Sequence, residues 1–117
     1  MELNKLPTQY HLIFKLESLR NKIKNTANKE IMISVARQAY ELAVPVPIDP
    51  SFSYKIEGKE KTLILLSHEI RSYEKSNTEI EVIQFQLSST LLMLMLQFIK
   101  GSLEDMQQVL ADYRNVA

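Results

Sequence analysis

The sequence predicts an all-α protein, a compact bundle of four to five helices with a proline-rich connecting loop. Three observations lead there. Apolar residues recur at alternating steps of three and four through most of the chain, the period of an amphipathic helix. The breakers are few, with four prolines and two glycines, and they fall between the periodic runs. Hydrophobic residues make up 45% and charged residues 24%, a mix that can build a core and excludes a disordered chain. A chain of 117 residues suits one such core, so residues 1–117 are read as a single helical domain.

The first helix is expected over 8–25. Leu12, Leu16, Leu19 and Ile23 form its stripe, Pro7 and Thr8 suit its start, and the run NTAN at 25–28 suits its end. The second is expected over 29–43, with Ile31, Val35, Ala39 and Leu42 as the stripe and Met32, Ala36 and Ala43 widening it. Pro45 stops it, because proline disfavours a helical residue before it and has no N–H to donate. The third is expected over 60–75, on Leu63, Leu66, Ile70 and Tyr73. Thr78 with Glu81 reads as a capping box opening a fourth helix that runs to about Lys100. Gly101 breaks it. Ser102 with Asp105 suggests a fresh cap, and Leu103, Met106, Val109, Leu110 and Tyr113 share one face of a fifth helix.

One stretch resists this reading. AVPVPIDPSFSYKIEGK, residues 43–59, holds Pro45, Pro47 and Pro50, then alternates Phe52, Tyr54 and Ile56 before Gly58. Alternation is a strand signal, so the alternative class is α+β, with one short hairpin near 52–66. In the helical reading the segment is a stiff loop. Its Phe52, Tyr54 and Ile56 either plug the end of the bundle or present aromatic anchors to a partner.

The fourth helix is apolar nearly all round. Ile80, Ile83, Leu87, Leu91, Leu94 and Phe98 form one stripe, and Val82, Phe85, Leu92, Leu96 and Ile99 another. Such a helix is buried on every side. It is either the central helix, or it turns one stripe to the core and the other to a second copy of the chain, giving a homodimer. The first helix also has a second face, where Tyr10 and Phe14 lie opposite the leucines and are candidate partner contacts.

The sequence excludes several chemistries. Two glycines cannot make a phosphate-binding loop, and no G-x-S-x-G surrounds a serine. There is no cysteine, hence no disulfide and no thiolate nucleophile. His11 and His68 sit in no metal-ligand spacing. No metal, no cofactor and no catalytic residue is expected, and the protein is not read as an enzyme. Paired carboxylates such as Glu104 and Asp105 lie at expected helix starts, where the helix dipole favours them without catalysis.

Fourteen Lys and Arg balance fourteen Asp and Glu, which gives no general attraction to nucleic acid or an anionic membrane. The balance is uneven along the chain. Lys15, Arg20, Lys22, Lys24 and Lys29 form a possible basic patch at the end of the first helix, which would suit nucleic acid or an acidic partner. No leader-like segment opens the chain. Its most apolar run, 87–99, falls short of the roughly 20 residues of a spanning helix, so no membrane insertion is expected and the cytoplasm is the expected compartment.

These features point to a non-catalytic helical protein–protein interaction module of adaptor, secretion-chaperone, immunity or anti-regulator type, homodimeric through the fourth helix. That grouping is by analogy of form. The alternative is a dimeric nucleic-acid-binding regulator that uses the basic patch.

Overall fold

The computed structural model describes residues 8–116. The elements run α1 (Thr8–Lys24), α2 (Lys29–Ala43), a 3-10 helix (Pro50–Lys55), α3 (Ile56–Lys75), α4 (Ile80–Gln97) and α5 (Leu103–Val116). No strand occurs among the described residues. The expected helical bundle is therefore the fold, and the hairpin near 52–66 does not form.

The reason lies just upstream of the alternating residues. Asp49 accepts a hydrogen bond from the Ser51 amide at 2.8 Å, and Pro50 follows it at the first helical position. A capped start with proline inside it commits the chain to helix. The 3-10 turn runs straight into α3, which begins at Ile56 rather than at residue 60. A kink at Phe52, φ −133° and ψ 47°, separates the turns of the segment, and the ring is buried at 4% exposure.

α1, α2, α3 and α4 form a ring in which each helix packs on the next and α4 closes on α1, with α2 also reaching α4 across the middle. Cross-links fix the directions. Arg20 Nε, late in α1, donates to the Ser88 carbonyl midway along α4 at 3.2 Å, while Gln84, one turn earlier in α4, reaches the end of α1. Arg37 of α2 pairs with Glu74 near the end of α3. The helices linked by these contacts thus run antiparallel, as in an up-and-down bundle. The core is built from the expected stripes. Leu12, Leu16, Leu19 and Ile23 of α1, Leu63, Leu66 and Ile70 of α3, and Ile83, Leu87, Leu91, Leu94 and Phe98 in and after α4 belong to one buried cluster. Each such side chain contributes about 1.5–3 kcal/mol by leaving water. In α2 the buried face is rotated from the expected one: Met32, Val35, Ala36, Ala39 and Ala43 point inward, and Ile31 is exposed.

Glycine is the usual terminator of a helix, and this chain has two. Side chains from neighbouring helices satisfy the terminal carbonyls instead. Gln84 Nε2 donates toward the Ile23, Lys24 and Thr26 carbonyls of α1 at 2.9–3.0 Å. Lys59 Nζ donates to Val44 and Val46 after α2 at 3.0 and 2.5 Å. Lys29 Nζ donates to the Ser76 carbonyl that closes α3 at 2.8 Å. Lys55 Nζ donates to Leu96 in the last turn of α4 and to Ile99 and Gly101 beyond it, at 2.7, 2.6 and 2.8 Å, one hydrogen for each carbonyl. Three of these four donors are cations at a negative helix end, where the dipole favours them. Each clamp locks one helix end to another helix.

Two expected boundaries are corrected. α4 stops at Gln97 rather than near Lys100. Its start does not use the Thr78–Glu81 box: Glu79 is the cap residue without a side-chain cap bond, and the Thr78 hydroxyl pairs with that of Ser76 at 2.8 Å. The expected cap before α5 does form. Asp105 Oδ2 accepts from the Ser102 amide at 2.7 Å, after Gly101 has turned the chain at φ +120°. α5 then lies outside the ring beside α1 and α4. Met106 and Leu110 anchor it, Leu103 is exposed, and clefts of ≈ 390 and ≈ 230 Å³ remain beside it.

Candidate functional site: the outer face of the fourth helix

α4 has two apolar faces, and the bundle uses one. Ile83, Leu87, Leu91, Leu94, Met95 and the following Phe98 are fully buried. On the other side Phe85 is 67% exposed, and Val82 and Met93 are each 45% exposed. Leu92 and Leu96 are half-buried at the edges of this face, and Ser89 sits in its middle. Ile99, expected in the same stripe, is buried because the helix has already ended. Met93 takes its place.

The rotational setting of α4 is fixed from both flanks. On the α1 side Arg20 holds the Ser88 carbonyl, and Gln84 holds the end of α1. On the α3 side the Thr90 hydroxyl donates to Glu69 Oε1 at 2.6 Å, both side chains being buried. Turning the outer stripe inward would break all of these. The exposure of Val82, Phe85 and Met93 is thus a consequence of the packing, and polar Ser89 and Gln86 share their side of the helix.

The electrostatics around this helix follow from the same packing. Burial in the α3–α4 seam pushes the Glu69 carboxyl above its ordinary range, opposed by the Thr90 hydrogen bond. Burial pushes Lys55 and Lys59 down, and nearby Asp105 and Glu60 oppose it respectively. Lys59 also stands over the Phe98 ring at 5.5 Å from its centre. These groups have structural partners. Among the described residues no three of His, Asp and Glu come together as a metal site requires.

The residues that the sequence singles out are dispersed. Phe52 is core, so it offers nothing to a partner from this conformation. Tyr54, 68% exposed, and Ile56 lie at the surface beside the proline loop. Near them Val44, Pro47, Ile56 and Leu63 line a groove of ≈ 340 Å³. Tyr10 and Phe14 are half-buried and pack against the core, with Phe14 lining the cleft under α5. Of the basic cluster, Lys29 is bound to the Ser76 carbonyl and Arg20 to Ser88 and Glu17, while Lys15, Lys22 and Lys24 are exposed.

One expectation about length changes. The 18 residues of α4 make it long and apolar enough, by length and composition, to cross a membrane. The inner face of that same helix is occupied by α1, α2 and α3. No protein-family model, curated protein or solved structure matches the chain.

Proposed function

We propose that this chain is a cytoplasmic, non-catalytic protein–protein interaction module of adaptor, secretion-chaperone, immunity or anti-regulator type, and that the outer face of α4 is its contact surface. The observation that carries this reading is Phe85. A large aromatic ring stands 67% exposed on a helix whose orientation is locked on both flanks, with Val82 and Met93 beside it. Buried aromatic anchors dominate interface energies, and this ring is available to become one. Tyr54 and Ile56 supply a second, smaller apolar surface. Arg20 and Lys29 are engaged within the chain, which lends less support to the nucleic-acid alternative than to a protein partner.

Capture from host lysate with the wild-type chain and with Phe85→Glu tests the proposal, with nuclease-treated controls. The expected result is a protein retained by the wild type at high salt and lost in the variant, whose helicity is unchanged. Equal capture by both forms removes α4 as the surface. Capture of nucleic acid alone, lost on charge reversal of Lys22 and Lys24, replaces the proposal with its alternative.

A further inference from the structure

α5 does not close on the ring along its whole length. A cleft of ≈ 390 Å³ opens between it and the pair α1 and α4, within the range of about 300–1,000 Å³ in which small molecules are held. Half of its lining is apolar: Leu92 of α4, with Leu103, Met106 and Leu110 of α5. A second cleft of ≈ 230 Å³ shares Glu17, Leu110 and Arg114 with the first and adds Phe14. The apolar lining therefore continues past Leu110 toward α1.

The charges in the cleft are uneven. Glu17 pairs with Arg20 at 3.7 Å, and these side chains are 17% and 20% exposed. Arg20 Nε also donates to the Ser88 carbonyl, so its guanidinium is set in place before any ligand arrives. Arg114 takes part in no hydrogen bond or ion pair among the described residues. Two guanidiniums against one carboxylate leave a single positive charge beside an apolar wall. That combination fits one negative charge carried on a hydrocarbon chain. A guanidinium fork matches a carboxylate with two parallel hydrogen bonds. A phosphate monoester, with nearly two charges at neutral pH, would leave one of them unmatched.

We infer that the cleft beneath α5 binds a single-chain amphiphilic carboxylate, with Arg20 and Arg114 at its headgroup and Leu92, Leu103 and Met106 along its chain. The site borders the outer face of α4 at Leu92, but it does not depend on that face binding a protein.

Decanoate below its micelle concentration is the probe, titrated into the full, isotopically labelled chain and followed by two-dimensional NMR. The expected result is saturable binding of one molecule per chain, with amide shifts centred on Leu92, Leu103 and Gln107. Octanoate, shorter by two methylenes, should bind roughly tenfold more weakly, because each methylene taken out of water contributes. Arg114→Gln should weaken decanoate about tenfold through the lost charge-assisted hydrogen bonds, with an unchanged melting temperature. No saturable shift below the micelle concentration overturns the inference. Binding by Arg114→Gln as tight as by the wild type also overturns it, as does decanol binding as tightly as decanoate, since either result takes the headgroup away from the guanidiniums. Shifts confined to the groove of Val44, Pro47 and Ile56 would place the ligand elsewhere and overturn it too.

Discussion

The Thr90 hydroxyl donates to the Glu69 carboxylate at 2.6 Å across the seam between α3 and α4, and both residues are buried. A carboxylate in a helical core is costly, and burial raises its pKa from the ordinary 4.5. The unfolded chain releases this proton near 4.5, whereas the folded chain holds it to higher pH. Between those two values the folded state binds the extra proton, so the contribution is fully present below 4.5 and is lost as pH rises through the folded-state pKa. Glu69→Gln keeps an acceptor for Thr90 and removes the charge. Its melting temperature should exceed that of the wild type at pH 7, and the gap should close toward pH 4. Parallel pH profiles of the two proteins would contradict this. Asp49 and Asp105 act in the opposite sense. The Ser51 and Ser102 amides hold both below 3.8, so their contribution is lost only as pH falls further.

Lys55 closes α4 with three hydrogen bonds to main-chain carbonyls, two of them after the last helical residue. Lys55→Met retains the stem and removes the donors. It should cost about 2 kcal/mol, since hydrogen bonds from a charged donor contribute more than neutral ones and part of the loss is returned by water. Urea denaturation gives the value. A change under about 0.5 kcal/mol, the scale of an ordinary surface substitution, would show that the clamp contributes little.

Phe52 and Tyr54 sit two residues apart and should behave in opposite ways. Phe52→Ala empties a core position and should cost about 3–5 kcal/mol. Tyr54→Ala should stay within about 0.5 kcal/mol, because its ring is in solvent. Equal costs in thermal denaturation would mean that the ring of Phe52 is not the plug between the proline loop and the bundle.

These contrasts show where the sequence was legible. α2 runs over 29–43 as its stripe and Pro45 predict, because one periodic run and one breaker determine it. The stretch from Phe52 to Ile56 misleads, since three alternating apolar residues imitate a strand. The deciding signal was present in Asp49 and Pro50, a cap followed by a first-turn proline. The helix-end clamps were not legible. Gln84 meets α1 across about sixty positions of sequence, and Lys55 meets α4 across more than forty. Only the assembled ring brings those groups together. The two faces of α4 were legible as a pattern, but which one the bundle buries depends on Arg20 and Glu69, whose partners lie on another helix.

Exposure of Phe85 should leave stability indifferent to its identity. Phe85→Ser should melt within a few degrees of the wild type, because removing a solvent-facing ring takes nothing from the core. A loss of more than about 2 kcal/mol would place that ring in the bundle.

The most direct measurement is photo-cross-linking in the native host from a benzophenone amino acid placed at position 85, beside the same probe at Arg71, an exposed residue of α3. An interaction surface on α4 predicts a discrete protein adduct from position 85 and none from position 71. Equal labelling from both positions, or no adduct from position 85, would contradict it.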